Sequence, residues 1–402
     1  MKILYVASYD VSDLNGGNGI DHFKLQALRS AGCEVNRLFP ILKSESSGIV
    51  TRGVRKLRRM LTSDDVVTRR KHRLEMIGNL IAIHPLHAQS DAIVSPNHFD
   101  ISFYAGPLPV FFWTDATYSN MASMYPNHKG ASEWVKSFEH LVQKRAVDKA
   151  TGAMWASRYA MNAAISDYGA DADRQLVTGF GLNLPTSIQV DDLEEILGKR
   201  DHRTIRLMFI GFDYKRKGLD TALRAVVELN NLGTPTSLDT IGGFHDVPEE
   251  ARPYVTVHGP LNKLESRDLA TFEKIQRSSH FLIFPTRADV YCMPAIEAMA
   301  AGCVPVVSNV GGIPEIVTDG ETGLVLPLSA GPLDYAKSIK DAFDDRQRYL
   351  TMCRAGYASS RANHRWDKIG ETAASFIKER MKTTPTLDQS DCNGERSERC
   401  HH

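Results

Sequence analysis

Two carboxylates, Asp289 and Glu297, stand on either side of Tyr291-Cys292-Met293 and just after the apolar run 281–284. Pro294 suits the first position of a helix, which places Glu297 in the first turn and Gly302 at the end. One acid then lies on a loop and the other just inside a helix, and both can point into a cleft. The backbone N–H groups of 291–293 would open at a helix N-terminus, which attracts anions. A second cluster, Lys215, Arg216 and Lys217, follows the apolar run 205–210 and precedes Gly218. Cations at the carboxyl end of a parallel strand suit a diphosphate, since arginine supplies a fork of donors and lysine a point charge; the plain alternative is a solvated basic turn. A third feature is Asn15-Gly16-Gly17-Asn18-Gly19, after the run 3–7. It can be a tight turn or a loop that brings backbone N–H groups to a phosphate. It is not the GxGxxG pattern of dinucleotide sites. Together these residues describe a pocket for a nucleotide diphosphate, with two carboxylates left to accept hydrogen bonds from hydroxyls.

These groups must be positioned by a scaffold. Short apolar runs at 3–7, 92–94, 110–113, 153–156, 205–210, 281–284 and 304–307 alternate with helical periodicity at 20–31, 133–149, 219–231, 294–301 and 366–381. Continuous apolar strands alternating with amphipathic helices imply parallel sheets covered on both faces, an α/β class. The pattern occurs twice, so we expect two Rossmann-like, doubly wound domains. The first spans 1–185 and the second 204–362, with a polar linker at 186–203. A last helix occupies 363–382, and 383–402 lacks apolar periodicity and reads as a disordered tail. At 402 residues the chain is long enough for two or three domains.

Composition narrows the function. Lys plus Arg and Asp plus Glu both number 48, and zero net charge argues against general nucleic-acid binding. Six cysteines without a CxxC pair form neither a disulfide framework nor a zinc ribbon. No apolar run is long enough to cross a membrane, and the apolar start MKILYVAS is too short for a signal peptide. A cytoplasmic protein is expected. Residues 52–73 carry nine Lys/Arg. They read as a solvated helix, or as a surface resting on anionic lipid or an anionic acceptor. Asp171-Ala-Asp173 reads as a turn and not a metal pair, and no histidine spacing suggests a metal site or a triad. Trp113, Tyr118 and Tyr125 flank Asp115 and suit either sugar stacking or core packing.

The stretch 281–327 resembles the donor-site signature of the retaining glycosyltransferases of family 4, which adopt the GT-B fold. That signature has two acids spaced E-x7-E, then EAMA-G-PVV, GG-PE and a DG-TG turn. Here stand Asp289-x7-Glu297, Glu297-Ala-Met-Ala-Ala-Gly302, Pro305-Val-Val, Gly311-Gly-Ile-Pro-Glu315 and Asp319-Gly-Glu-Thr-Gly323. The resemblance extends over about 1–380. It implies that Glu297 holds the donor's ribose hydroxyls and that Asp289 binds the transferred sugar near the reacting carbon. It also implies that backbone groups by Tyr291, Cys292 and Met293 meet the sugar and diphosphate. Lys217 matches the family's phosphate-binding lysine, Gly17 would face the diphosphate from the first domain, and the last helix would cross back to that domain.

This sequence departs from the family at four positions. The first acid is aspartate, Phe212 replaces an arginine, Cys292 replaces a glycine, and Thr114-Asp115 replaces a His-Asp pair. Arg216 can supply the missing cation, and Asp115 keeps a carboxylate near the reaction centre. The implied activity is transfer of a sugar from a nucleotide-diphosphate sugar to an acceptor hydroxyl. Configuration is retained, and neither metal nor other cofactor takes part. The acceptor can be a glycan, a lipid-linked sugar or a small molecule. Two alternatives remain: a sugar-nucleotide-binding protein without catalysis, and a GT-B sugar-nucleotide epimerase.

Overall fold

The computed structural model describes residues 1–12, 19–39, 41, 63–183, 193–243 and 246–383. Its strands form two parallel sheets. The first contains β1 (Lys2–Val6), β2 (Glu34–Leu38), β3 (Ala92–Ser95), β4 (Val110–Thr114), β5 (Gly152–Trp155) and β6 (Gln175–Val177), in the order β2-β1-β3-β4-β5-β6. The second contains β7 (Ile205–Ile210), β8 (Thr236–Ile241), β9 (Val255–Gly259), β10 (Phe281–Phe284), β11 (Val304–Ser308) and β12 (Leu324–Leu326), in the order β12-β11-β10-β7-β8-β9. All residues of β4 (VFFWT) and β10 (FLIF) are buried, as expected of strands covered on both faces. The strands without a clear apolar run lie toward the edges: β8 (TSLDTI), β9 (VTVHG) and β6 (QLV).

In each sheet the strand order reverses beside the first strand, between β1 and β3 and between β7 and β10. The carboxyl ends of strands at such a reversal diverge and leave a crevice. Lys217 follows β7 and Asp289 follows β10, so both sit at the crevice of the second sheet. Asp115 follows β4 in the first.

The cores explain the helices. One face of the first sheet packs Leu4, Phe112 and Trp155 against Leu74, Ile77 and Ile81 from the helix Ser63–Ile83 and Val142 from Glu133–Lys149. The other face packs Phe111 and Trp113 against Leu25, Leu28, Phe376 and Ile377. That apolar cluster continues through Phe180 and Tyr291 to Met208 and Leu282 of the second sheet. The helix Trp366–Thr383 lies on the helix Ile20–Ser30 so closely that a Cβ at Gly370 would stand 2.2 Å from the Ala27 carbonyl oxygen.

The chain crosses between the sheets at two places, which are bonded to each other. Leu182 N–H donates to the His364 carbonyl at 2.9 Å, and His364 Nδ1 donates to the Phe180 carbonyl at 2.9 Å. Trp366 covers Gly181, stacks on Phe23 and Phe180, and donates from Nε1 to Asn183 Oδ1 at 2.9 Å.

Several details differ from expectation. Within the segment read as a linker, Leu193–Lys199 is a helix whose Leu193 and Leu197 pack into the second core. Next to it, the buried Arg200 donates to the carbonyls of Arg277, Ala301 and Gly302 and to the Tyr349 hydroxyl. The sequence looked polar because its apolar positions are few, although they are well spaced for one helix face. Pro294 is the second helical residue and not the first, so Glu297 lies one residue deeper, just past the first turn of Met293–Ala300. Of the basic segment, 52–62 lie outside the described residues, as do Gly17 and 384–402 of the expected tail. The helix Ser63–Ile83 buries its apolar stripe, while Arg69, Lys71, Arg73, Val66 and Met76 are exposed.

Candidate functional site

The basic cluster at the end of β7 forms one helical turn, Tyr214–Lys217, capped by Asp213, whose side chain accepts from Arg216 N–H. Gly218 ends the turn at φ 78°, and a Cβ there would stand 2.0 Å from the Pro285 carbonyl oxygen. Only glycine combines this conformation with that approach. Arg287 braces the turn through Lys215 O at 2.6 Å and a two-pronged pair with Asp220 at 2.8 and 2.7 Å.

The three basic residues therefore differ in surroundings. Lys215 is exposed. Arg216 donates to Asp213 at 3.0 Å and to Ala288 O at 2.7 Å, and its guanidinium lies 5.0 Å from the centre of the Tyr125 ring in the first domain. Lys217 Nζ stands 2.5 Å from Asp289 Oδ2 and 4.9 Å from the Phe284 ring centre. Side-chain exposure is 14% for Lys217 and 7% for Asp289, so this ion pair is shielded from water.

Glu297 is also buried and paired. Lys263 Nζ reaches its Oε1 at 2.6 Å and lies 4.3 Å from the Phe272 ring centre. Lys263 belongs to the loop after β9. The pair joins that loop to the helix carrying Glu297. Cys292 caps that helix and is fully buried, and burial pushes its thiol pKa up. A thiol held protonated and shielded is a packing residue, not a redox or nucleophilic group. Met293 is buried as well. The Tyr291 side chain reaches Phe180 of the first domain. Its hydroxyl accepts from Phe180 N–H at 3.0 Å, and its ring meets Phe180 edge-on.

Across the crevice stands Asp115, one residue beyond β4. Burial raises its pKa, Lys24 opposes the rise, and Asp21 and Asp289 add to it. A carboxylate of the second sheet is thus near enough to act on one of the first. Lys24, which had no sequence signal beyond its place on a helix, is 2% exposed. Its ammonium group meets Asp21 Oδ1 at 2.9 Å and Trp113 O at 2.7 Å, and lies 4.8 Å from the Phe180 ring centre. Tyr125 stands between the two domains, close to Asp115, Asp289 and the Val290 backbone, and burial is the main cause of its raised pKa. Trp113 and Tyr118 are core residues, at 0% and 1% exposure. Among the described residues no group of three His, Cys, Asp or Glu side chains is disposed to hold a metal ion. No described helix is long and apolar enough to cross a membrane.

The loop that carries Asp289 is shaped by glycine. Gly311, at φ 59°, comes so near that a Cβ would lie 1.9 Å from the Asp289 carbonyl oxygen. Gly312 N–H donates to Val290 O at 3.2 Å. The spacing from Asp289 to Gly312 thus reflects two loops, after β10 and β11, that touch through their backbones.

Comparison with known proteins agrees with this geometry. Residues 204–345 match the model of the family described as Glycosyl transferases group 1. The D-inositol 3-phosphate glycosyltransferase of Paenarthrobacter aurescens is 25% identical over 322 residues, covering 74% of each chain. Among solved structures, sucrose-phosphate synthase from Thermosynechococcus elongatus superposes with a TM-score of 0.68 at 15% identity, covering 95% of this chain and 99% of that one. Anabaena Alr3699/HepE in complex with UDP-glucose gives 0.60 at 14% identity, covering 94% and 100%. The two parallel sheets, the acids and cations at their crevice and these likenesses lead to one assignment: the chain has the GT-B fold, and its second domain resembles the glycosyl transferases group 1.

Proposed function

We propose that this protein is a glycosyltransferase that moves a sugar from a nucleotide-diphosphate sugar to an acceptor hydroxyl, with retention of configuration and without a metal. The carrying observation is the shielded pair of Lys217 with Asp289, beside Arg216, whose guanidinium lies on Tyr125 of the first domain. In this reading the second domain, 204–362, binds the donor and the first, 1–185, binds the acceptor. Residues 363–382 return to the first domain, and 186–203 join the two.

The leaving diphosphate gains negative charge as the bond to the anomeric carbon breaks. Lys217 and Arg216 stabilise that charge, together with the N-terminus of the helix Met293–Ala300 and its leading residues Tyr291, Cys292 and Met293. Such fixed charges act strongly in a shielded site. Gly17 faces the diphosphate from the first domain. Glu297 takes the ribose hydroxyls. Asp289 accepts from hydroxyls of the transferred sugar, and Lys217 then exchanges part of its bond to Asp289 for phosphate oxygen. The acceptor oxygen attacks the anomeric carbon on the face the diphosphate leaves, and its proton passes to the departing phosphate oxygen. Asp115 orients the sugar and acceptor beside that bond. Closure of the domains excludes water and limits hydrolysis of the donor.

Alr3699/HepE was solved with UDP-glucose and the Paenarthrobacter relative is an inositol-phosphate glycosyltransferase, which supports a nucleotide-sugar donor and a hydroxyl-bearing acceptor. We also propose that the exposed basic and apolar groups of the helix Ser63–Ile83 allow peripheral contact with anionic membrane.

The test is thermal unfolding with UDP, GDP, ADP, CDP, dTDP and their sugars, with and without Mg²⁺. At about 100 times its Kd a ligand stabilises by about 2.7 kcal/mol. One base should stabilise equally in both conditions. Transfer to screened acceptors, with the product's anomeric configuration read by NMR, then follows. Stabilisation that requires Mg²⁺, or an inverted product, rejects the corresponding part of the proposal.

A further inference from the structure

Glu315 ends the one-turn segment Ile313–Glu315 in the second domain, yet its carboxylate is bound by the first. Arg158 N–H donates to Oε2 and Tyr159 N–H to Oε1, both at 2.7 Å. These are the first two residues of the helix Arg158–Tyr168, whose own cap, Ser157, serves Ala160 N–H and leaves them free. A negative charge at a helix N-terminus gains both from the hydrogen bonds and from the helix dipole. A helix of the first domain is thus capped by a side chain of the second.

A short rigid path leads from this cap to the donor loop. Gly312 is pressed between domains: a Cβ there would stand 2.6 Å from Val290 O and 2.9 Å from Ser157 Cβ. Gly311 lies directly under the Asp289 carbonyl. Glu315, Gly311, Gly312 and the backbone of Asp289 and Val290 are therefore packed in series, and the series meets the first domain at Ser157, Arg158 and Tyr159.

We infer that Glu315 is a positioning residue: by capping the helix Arg158–Tyr168 across the cleft, it sets the donor loop in its working geometry only when the two domains are closed. The inference rests on the proposed donor site for its kinetic consequence. Its structural half, that the cap holds the domains together, stands apart from that reading.

Two variants probe the contact from opposite sides. Glu315→Ala removes the carboxylate. Arg158→Pro removes one donor and leaves Glu315 intact. Proline is tolerated in the first turn of a helix, and Ser157 before it is already extended, at φ −146° and ψ 158°. In both variants we expect kcat for transfer to fall about tenfold for Glu315→Ala and about threefold for Arg158→Pro. The ratio of donor hydrolysis to transfer should rise, and the Kd of the nucleoside diphosphate should change less than twofold. Small-angle scattering should show a larger radius of gyration for Glu315→Ala than for the parent protein, whether or not a donor has been identified. Unchanged kcat and unchanged radius overturn the inference. So does a loss of nucleotide affinity as large as the loss of kcat, which would make Glu315 a structural support of the donor pocket. If the parent protein shows no transfer but Glu315→Ala still expands it, the proposed function fails and the interdomain cap stands.

Discussion

Replacing Gly311 by alanine tests how tightly the loop under Asp289 is built. The new Cβ would lie 1.9 Å from the Asp289 carbonyl oxygen, and it must withdraw by 1.1 Å to reach even 3.0 Å. At φ 59° the alanine also carries left-handed strain, about 1–2 kcal/mol. Crowding a packed site adds about 1–3 kcal/mol. If the backbone holds, unfolding in urea should show a loss of about 2–5 kcal/mol. If the loop yields instead, Asp289 moves by about the same 1 Å, a misplacement that can lower turnover about 100-fold. Gly233→Ala is the control, since it has φ 78° and nothing within 4 Å of its added Cβ. It carries the strain without the collision. Urea unfolding and steady-state transfer measured on both variants separate the two effects. Gly311→Ala matching Gly233→Ala in both stability and turnover would refute the reasoning.

Asp289→Asn leaves the Lys217 ammonium without its carboxylate, and transfer should fall at least about 100-fold. In a double-mutant cycle with Lys217→Met, stability should show a coupling of about 1–3 kcal/mol, and additive losses would mean the 2.5 Å pair contributes nothing. Arg200→Met strands three buried carbonyls and should cost about 3–5 kcal/mol in urea unfolding. Arg354→Met loses only an exposed pair with Glu194 and should stay within about 0.5 kcal/mol; equal effects would contradict the burial argument. Acid should destabilise the fold through two histidines. Burial lowers His98 to about 3 and His280 to about 4, and His280 accepts Arg206 N–H at Nδ1, so it must be neutral. The unfolded chain binds these protons first, so stability is full above about pH 6.5 and falls as pH drops toward 4. At pH 5 each histidine withdraws about 2 kcal/mol, and His98→Gln should remove about half of the combined loss. A flat profile from pH 7 to 5 would reject this.

The buried strands were legible because sheets covered on both faces demand unbroken apolar runs, as in Phe281–Phe284 and Ile205–Ile210. Edge strands such as Val255–Gly259 carry no such demand and escaped notice. Asp289, Glu297, Arg216 and Lys217 could be singled out because each lies in a short local pattern of glycines, proline and charge. Lys24 could not, because what distinguishes it is a partner on another element, the Trp113 carbonyl. The Glu315 cap likewise joins residues more than 150 positions apart, and nothing in the local sequence of either partner announces the other. The aspartate at 289 remains within 2.5 Å of Lys217 despite its shorter side chain.

The bonded crossings have a consequence for how such chains diversify. Leu182 and His364 are hydrogen-bonded neighbours, so the segment between them departs from and rejoins the first domain at a single place. A module whose entrance and exit coincide can be exchanged as a cassette without rerouting the remaining chain. Grafting 193–363 from a relative onto this N-terminal domain should need matching at only a few positions: the stack of Trp366 on Phe180, the seat of Trp366 against Gly181, and the carboxylate that meets Arg158. New pairings of the two crevices could then arise by recombination at two adjacent points, rather than by remodelling either one.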